Sequence, residues 1–224
     1  MTLKDIISLV KSQGYEIDTT PFKLNVVGIR DTANTEPILF QDEIAYFYYD
    51  QNGNLIGNVA RGTTSPSVYY LENPMNLSGA AILKQGQYKN AYAIGLHRGK
   101  YKALVQVKPV TVMRDKDRNS YLDFFAPTQT GLFGINIHKA TIKNNQAEIG
   151  QDSAGCQVFM NINDYNDMMK MAETSRIKNG NTFTYTLIDK KQIIKKRLNL
   201  AAVGAILIGL TGYIYYLRKK KKVI

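Results

Sequence analysis

Hydrophobic and polar positions alternate along much of this chain, and a period of two predicts β-strands. The clearest runs cover residues 22–29, 43–49 and 54–60, rich in β-branched and aromatic side chains. Asp50-Gln51-Asn52-Gly53 separates the last two and predicts a hairpin turn, because Asn and Gly accept positive φ. Further strands are expected at 68–71, 92–97, 101–107, 110–113 and 182–188, with Arg98-Gly99 as a tight connection. Gly62, Pro66, Pro74, Gly79, Gly86 and Pro109 interrupt the pattern. Short strands with frequent breakers predict a mainly β sandwich or barrel rather than alternating βαβ units.

Two stretches carry helical spacing instead. In residues 2–12, Leu3, Ile6, Ile7 and Val10 fall on one face, Thr2 can cap, Asp5 sits three residues on, and Gly14 ends the run. In residues 163–177, Tyr165, Met168, Met169 and Ala172 form the apolar face and Asn179-Gly180 closes it. The methionines read as core filler.

A third apolar stretch has no polar face. Residues 198–217, LNLAAVGAILIGLTGYIYYL, contain no charge. Twenty residues at 1.5 Å each span about 30 Å, the thickness of a hydrocarbon core. Tyr213, Tyr215 and Tyr216 lie toward one end, as interfacial aromatics do. Basic clusters flank both ends, so charge does not orient the span. The expected layout is an N-terminal helix and lead-in (1–19), a soluble domain (20–189), a basic linker (190–197), a transmembrane anchor (198–217) and a basic tail (218–224). The expected location is a bacterial inner membrane or an internal virion membrane.

Charge changes the picture once it is placed. The chain carries net +11. Ten of its 29 Lys and Arg lie from Lys190 onward and none of its 18 acids does, leaving residues 1–189 at 19 basic against 18 acidic. The positive charge belongs to the membrane flank, and no nucleic-acid partner is expected. One cysteine excludes an intrachain disulfide.

The candidate chemistry is concentrated between Gly134 and Phe159. This stretch holds the only cysteine, Cys156, and one of two histidines, His138. Ile135-Asn136-Ile137 predicts a strand ending at His138. Fourteen residues follow, and then Ser153-Ala154-Gly155-Cys156. A thiol needs a base to attack at neutral pH, and an imidazole can supply it as a thiolate–imidazolium pair. Gly155 lets the backbone approach a substrate, and the N–H groups of Gly155 and Cys156 can face an oxyanion. Ser153 can bond within the turn or to substrate. The carbonyl of Lys139 is a candidate to orient the imidazole, and Asn136 and Gln157 are candidates for orienting or substrate contact. His97 reads as an exposed turn residue before Arg98-Gly99, with approach to the site from another strand as the alternative. Asp115, Asp117, Asn119 and Asp123 read as a polar turn, since a calcium loop's sixth-position glycine and twelfth-position acid are missing. His97, His138 and Cys156 have no metal-ligand spacing, so neither metal nor cofactor is expected.

The pattern of His138, Ser153, Gly155 and Cys156 resembles the L,D-transpeptidase catalytic domain. That family shows a histidine, fourteen to seventeen residues, then Ser/Thr-His-Gly-Cys, a hydrophobic residue and Arg or Asn. Ala154 stands at the family's second histidine, and Gln157-Val158 at its last pair. The run Ser153–Phe159, SAGCQVF, is more similar to a divergent branch found in bacteriophages and Bacteroidetes. The resemblance spans about residues 20–190 and includes Asn73-Pro74-Met75-Asn76, Ala81-Ile82-Leu83-Lys84 and Gly99-Lys100-Tyr101. It implies a mostly β fold and a cysteine acyltransferase or endopeptidase acting on peptidoglycan stem peptides, with cleavage favoured in a phage setting. Two other classes stay open: a catalytically silent binding or structural module of the same fold, and a lysis or pore protein that acts through its C-terminal span. The oligomeric state is not legible.

Overall fold

The computed structural model describes residues 1–141 and 147–191. Residues Met1–Asp189 form one compact unit. Residues 198–217 lie outside the described residues, and among those described no helix is long and apolar enough to cross a membrane.

In chain order the elements are α1 (Leu3–Ser12), β1 (Asn25–Arg30), β2 (Asp42–Tyr49), β3 (Leu55–Thr63), α2 (Val68–Glu72), β4 (Ala80–Leu83), β5 (Gly86–His97), β6 (Tyr101–Gln106), β7 (Val110–Asp115), β8 (Thr128–Gly131), β9 (Ile137–Lys139), β10 (Gln157–Phe159), α3 (Ile162–Asn179) and β11 (Phe183–Asp189). Eight strands close a barrel in the order β1-β11-β5-β6-β9-β10-β3-β2, and β4-β7-β8 form a second, three-stranded sheet. The pairs β1/β11 and β9/β10 are parallel; the other barrel pairs are antiparallel. The fold is mainly β, and closure removes the exposed sheet edges of an open sandwich.

Several expected features are present for the expected reasons. Thr2 and Asp5 form a reciprocal capping box at the start of α1. Ile6, Ile7, Leu9 and Val10 are buried. Asp50 accepts the N–H groups of Asn52 and Asn54 in the β2–β3 hairpin, and Gly53 has φ 79°. Arg98 and Gly99 both take positive φ, 50° and 69°, and turn β5 directly into β6. In α3, Tyr165, Met168, Met169 and Ala172 pack into the barrel core. Its N-cap is Asn161, whose side chain accepts the Asn163 N–H. Asp115–Asp123 is a polar loop in which Asp115 accepts the Asp123 N–H and Asp117 the Asn119 N–H.

One element differs in kind. Residues 68–71 are helical, not a strand. The aromatic sequence Val-Tyr-Tyr-Leu suits a sheet, but Ser67 ahead of it starts a turn in which its carbonyl accepts the N–H groups of Tyr70 and Leu71. The strand expected from residue 22 begins at Asn25, since Phe22 sits at φ 63°, outside the extended region.

Aromatic rings pack among the aliphatic side chains of the barrel interior. Tyr92 and Tyr185 meet edge to face at 5.7 Å, and Tyr46 and Phe159 at 5.9 Å. Gly28 makes room for this packing: a Cβ there would lie 1.9 Å from the Tyr185 hydroxyl. That hydroxyl donates to Gln157 Oε1 at 2.6 Å. Close by, Arg30 is buried and donates to Thr64 Oγ1, Leu83 O and Thr64 O. Asp42 accepts the N–H and hydroxyl of the same Thr64. These bonds tie β1, β2 and the end of β3 to β4, and so fix the second sheet against the barrel beside the Ser153–Cys156 turn.

Candidate active site

Residues Ser153–Cys156 form the turn entering β10. Ser153 is fully buried. Its Oγ lies 2.8 Å from both Ser65 O and Cys156 O and accepts the Gly155 N–H at 3.2 Å. Ser153 therefore braces the turn internally. Gly155 is required here twice over. It sits at φ 122°, and a Cβ would lie 2.2 Å from Ala81 O on β4. Gly155→Ala is expected to destabilise the fold by about 2–4 kcal/mol. Gly134→Ala, at φ 70° with nothing within 4 Å, should cost about 1–2 kcal/mol. Denaturant midpoints of the two variants check the contact; equal losses would remove it from the account.

Gln157 points into the barrel. Its Nε2 donates to Gly155 O at 3.1 Å while Oε1 accepts from Tyr185. Fully buried, it supports the turn from below.

The parallel pairing of β9 and β10 sets Gln157 beside Ile137 and Val158 beside His138. Ile137 and Phe159 belong to the barrel core. By alternation, Asn136, His138, Cys156 and Val158 project from the outer surface. The backbone N–H of Asn136 donates to Cys156 Sγ at 3.4 Å, and Sγ is 3.5 Å from Gly134 O. Asn136 Oδ1 accepts the Gln106 N–H at 2.9 Å. Its Nδ2 is then left to donate to His97 Nδ1, 3.1 Å away. That bond leaves the neutral His97 proton on Nε2.

His97 is the main correction to the expected site. It is buried, 7 % exposed, and stacks on His138 with ring centroids 4.0 Å apart and 26° between planes. It lies against Tyr101 at 5.4 Å. The tight Arg98-Gly99 turn is what returns β6 alongside and buries it.

His138 Nδ1 lies 2.8 Å from Lys139 O and 3.3 Å from the Tyr101 hydroxyl. An N–H on Nδ1 donating to Lys139 O places the lone pair on Nε2, the tautomer of a general base. The Lys139 side chain does not enter the site: its ammonium sits over the Tyr101 ring at 5.1 Å and lines a separate cavity against α3.

Protonation departs from the expected ion pair. Burial, then the neighbouring His97, pushes His138 down to about 3. Burial lowers His97 as well. Burial raises the Cys156 thiol, against the opposing pull of the Asn136 N–H and the Arg98 charge. All three shifts favour a neutral thiol and neutral imidazoles at rest. Neither imidazole makes a hydrogen bond to Sγ among the described residues.

Cys156 opens onto a cavity of about 470 Å³ whose walls include Ala154, Asn136, His97, Arg98 and Arg114. Gly155 contributes no free donor, since its N–H is held by Ser153. The Cys156 N–H makes no hydrogen bond within the described protein. Tyr101, Arg98 and Arg114 are not legible as site residues, and His97 is legible only as the alternative to an exposed turn residue. His97 and Tyr101 are the facing ends of the β5–β6 hairpin. Arg114 is brought in by β7 of the second sheet.

Neither a family model, a curated protein nor a solved structure matches this chain.

Proposed function

We propose that this protein is a membrane-anchored, cysteine-dependent enzyme that processes peptidoglycan, with an L,D-transpeptidase-like domain acting on stem-peptide amide bonds. The observation that carries the proposal is the set Cys156, Asn136 and His138 on the outward face of β9 and β10: the thiol and Asn136 are on the cavity wall, and His138, buried behind them, has Nε2 in base form. In parallel register the backbones of residues 156 and 138 are about 8 Å apart, from a strand spacing of about 4.8 Å and a two-residue rise of about 6.6 Å. Side chains span that distance once substrate orders them, and such catalytic contacts commonly tighten only in the complex.

Cys156 Sγ attacks the amide carbonyl while its proton passes to His138 Nε2. The Cys156 N–H stabilises the oxyanion. The C–N bond then breaks, the leaving amine takes the proton from His138, and a thioester remains. Water attacking the thioester gives hydrolysis; an amine gives a new cross-link. The charge-free run at 198–217 would hold the enzyme at the membrane.

Full-length protein in detergent, incubated with purified peptidoglycan, is expected to change the muropeptide profile seen by mass spectrometry, and Cys156→Ala is not. An unchanged profile with folded protein contradicts the proposal. A silent module of the same fold is the second reading, favoured by the missing thiol–imidazole hydrogen bond; it predicts that unchanged profile.

A further inference from the structure

We propose that the Cys156 cavity recognises a carboxylate on its ligand, and that Arg114 is the residue that binds it. This assignment rests on the enzymatic reading above and names the substrate feature the site selects.

Arg114 is 8 % exposed. Its Nε donates to Gln129 Oε1 at 2.8 Å and Nη1 to Gly79 O at 3.2 Å, and the guanidinium lies over the Phe133 ring at 4.6 Å. These contacts hold the group rigidly, yet every partner is neutral. No carboxylate pairs with it among the described residues, and Nη2 makes no hydrogen bond there. Burial lowers its pKa, with no acid acting against that trend. A buried cation without a counter-charge is costly to the fold. An arginine already clamped by neutral groups, with one fork nitrogen open, is arranged to take an anion from outside.

The location gives that arrangement its use. Arg114 and Cys156 line the same cavity, Arg98 stands at its wall, and no Asp or Glu lines it. Beside Arg114, the walls carry Phe133, Leu132 and Met75. A mixed apolar and cationic cavity of this size suits a peptide end better than a bare inorganic ion. The favoured substrate is therefore a stem peptide whose free carboxylate lies near the bond that Cys156 attacks, rather than the same peptide with that group amidated.

The test uses full-length Cys156→Ala protein in detergent and an N-acetylated tripeptide in two forms, C-terminal acid and C-terminal amide. Binding is read by calorimetry. The acid is expected to bind about tenfold or more tightly than the amide, and adding Arg114→Gln should remove the difference. Arg114→Lys should restore part of it, which also controls for folding. Equal binding of acid and amide overturns the proposal, as does a preference that survives in Arg114→Gln. Inorganic phosphate competing more strongly than acetate overturns the carboxylate assignment. Turnover by wild-type protein without acid preference would sink this inference and spare the enzymatic reading; acid preference with no turnover would do the reverse.

Discussion

Cys156→Ala is expected to lower peptide release from peptidoglycan by about 10⁴-fold or more while leaving the protein folded. Cys156 is the one thiol at the cavity, and removing the nucleophile of a covalent mechanism eliminates the route itself. Folding should survive, because the thiol is half-buried at the edge of the Phe40, Ile149 and Val158 cluster, where the alanine Cβ keeps part of the packing, and its hydrogen bonds, with Asn136 N and Gly134 O, are weak. The turn is held instead by Ser153 and Gln157. Cys156→Ser should fall nearly as far, since its hydroxyl is a much weaker acid than the thiol. Muropeptide assays and denaturation curves on the same preparations check both halves. Loss of fold in Cys156→Ala would show that the turn depends on the thiol.

His138→Ala is expected to cost about 10³-fold, within the range for a general base. The pH profile is the sharper readout. In the wild type the neutral thiol and neutral His138 are the reactive forms, so activity should run flat from about pH 5 to 8, with no limb near the ordinary imidazole value of 6.5. In His138→Ala only spontaneously formed thiolate can attack. Its rate should climb tenfold per pH unit toward the raised thiol pKa, narrowing the gap with wild type. A wild-type limb near 6.5 would show that a charged pair operates. Stability carries the same signature. The unfolded chain protonates His138 near its ordinary 6.5, and the folded protein only near 3. Between those values the unfolded state binds more protons, so the contribution of His138 is complete above pH 6.5 and is lost as pH falls toward 3.

Local chemistry made much of the barrel legible in the sequence. Asn52-Gly53 and Arg98-Gly99 mark turns, Gly53, Arg98 and Gly99 take positive φ, and both hairpins lie where those pairs fall. The Thr2/Asp5 capping box sets the start of α1. Ile135-Asn136-Ile137 predicts a strand that ends at His138. Such patterns do not say which strands are neighbours. His97 reaches Asn136 from 39 positions away, and Arg114 belongs to a different sheet. No local pattern encodes those meetings. The neutral resting state was hidden for the same reason: burial of His138 against His97 reverses the charge state that a cysteine–histidine pair suggests on its own. In residues 68–71 a strand-like composition lost to the Ser67 start signal, which acts through backbone hydrogen bonds rather than hydrophobicity.

The central claim is that Cys156 becomes acylated by a stem peptide. Intact mass measurement of the full-length protein, quenched in acid during incubation with a purified stem peptide, tests it most directly. The account predicts an adduct equal to the peptide minus its leaving amine, mapped to Cys156, removed by hydroxylamine and absent from Cys156→Ala. Folded protein that stays unmodified beside intact peptide would contradict it.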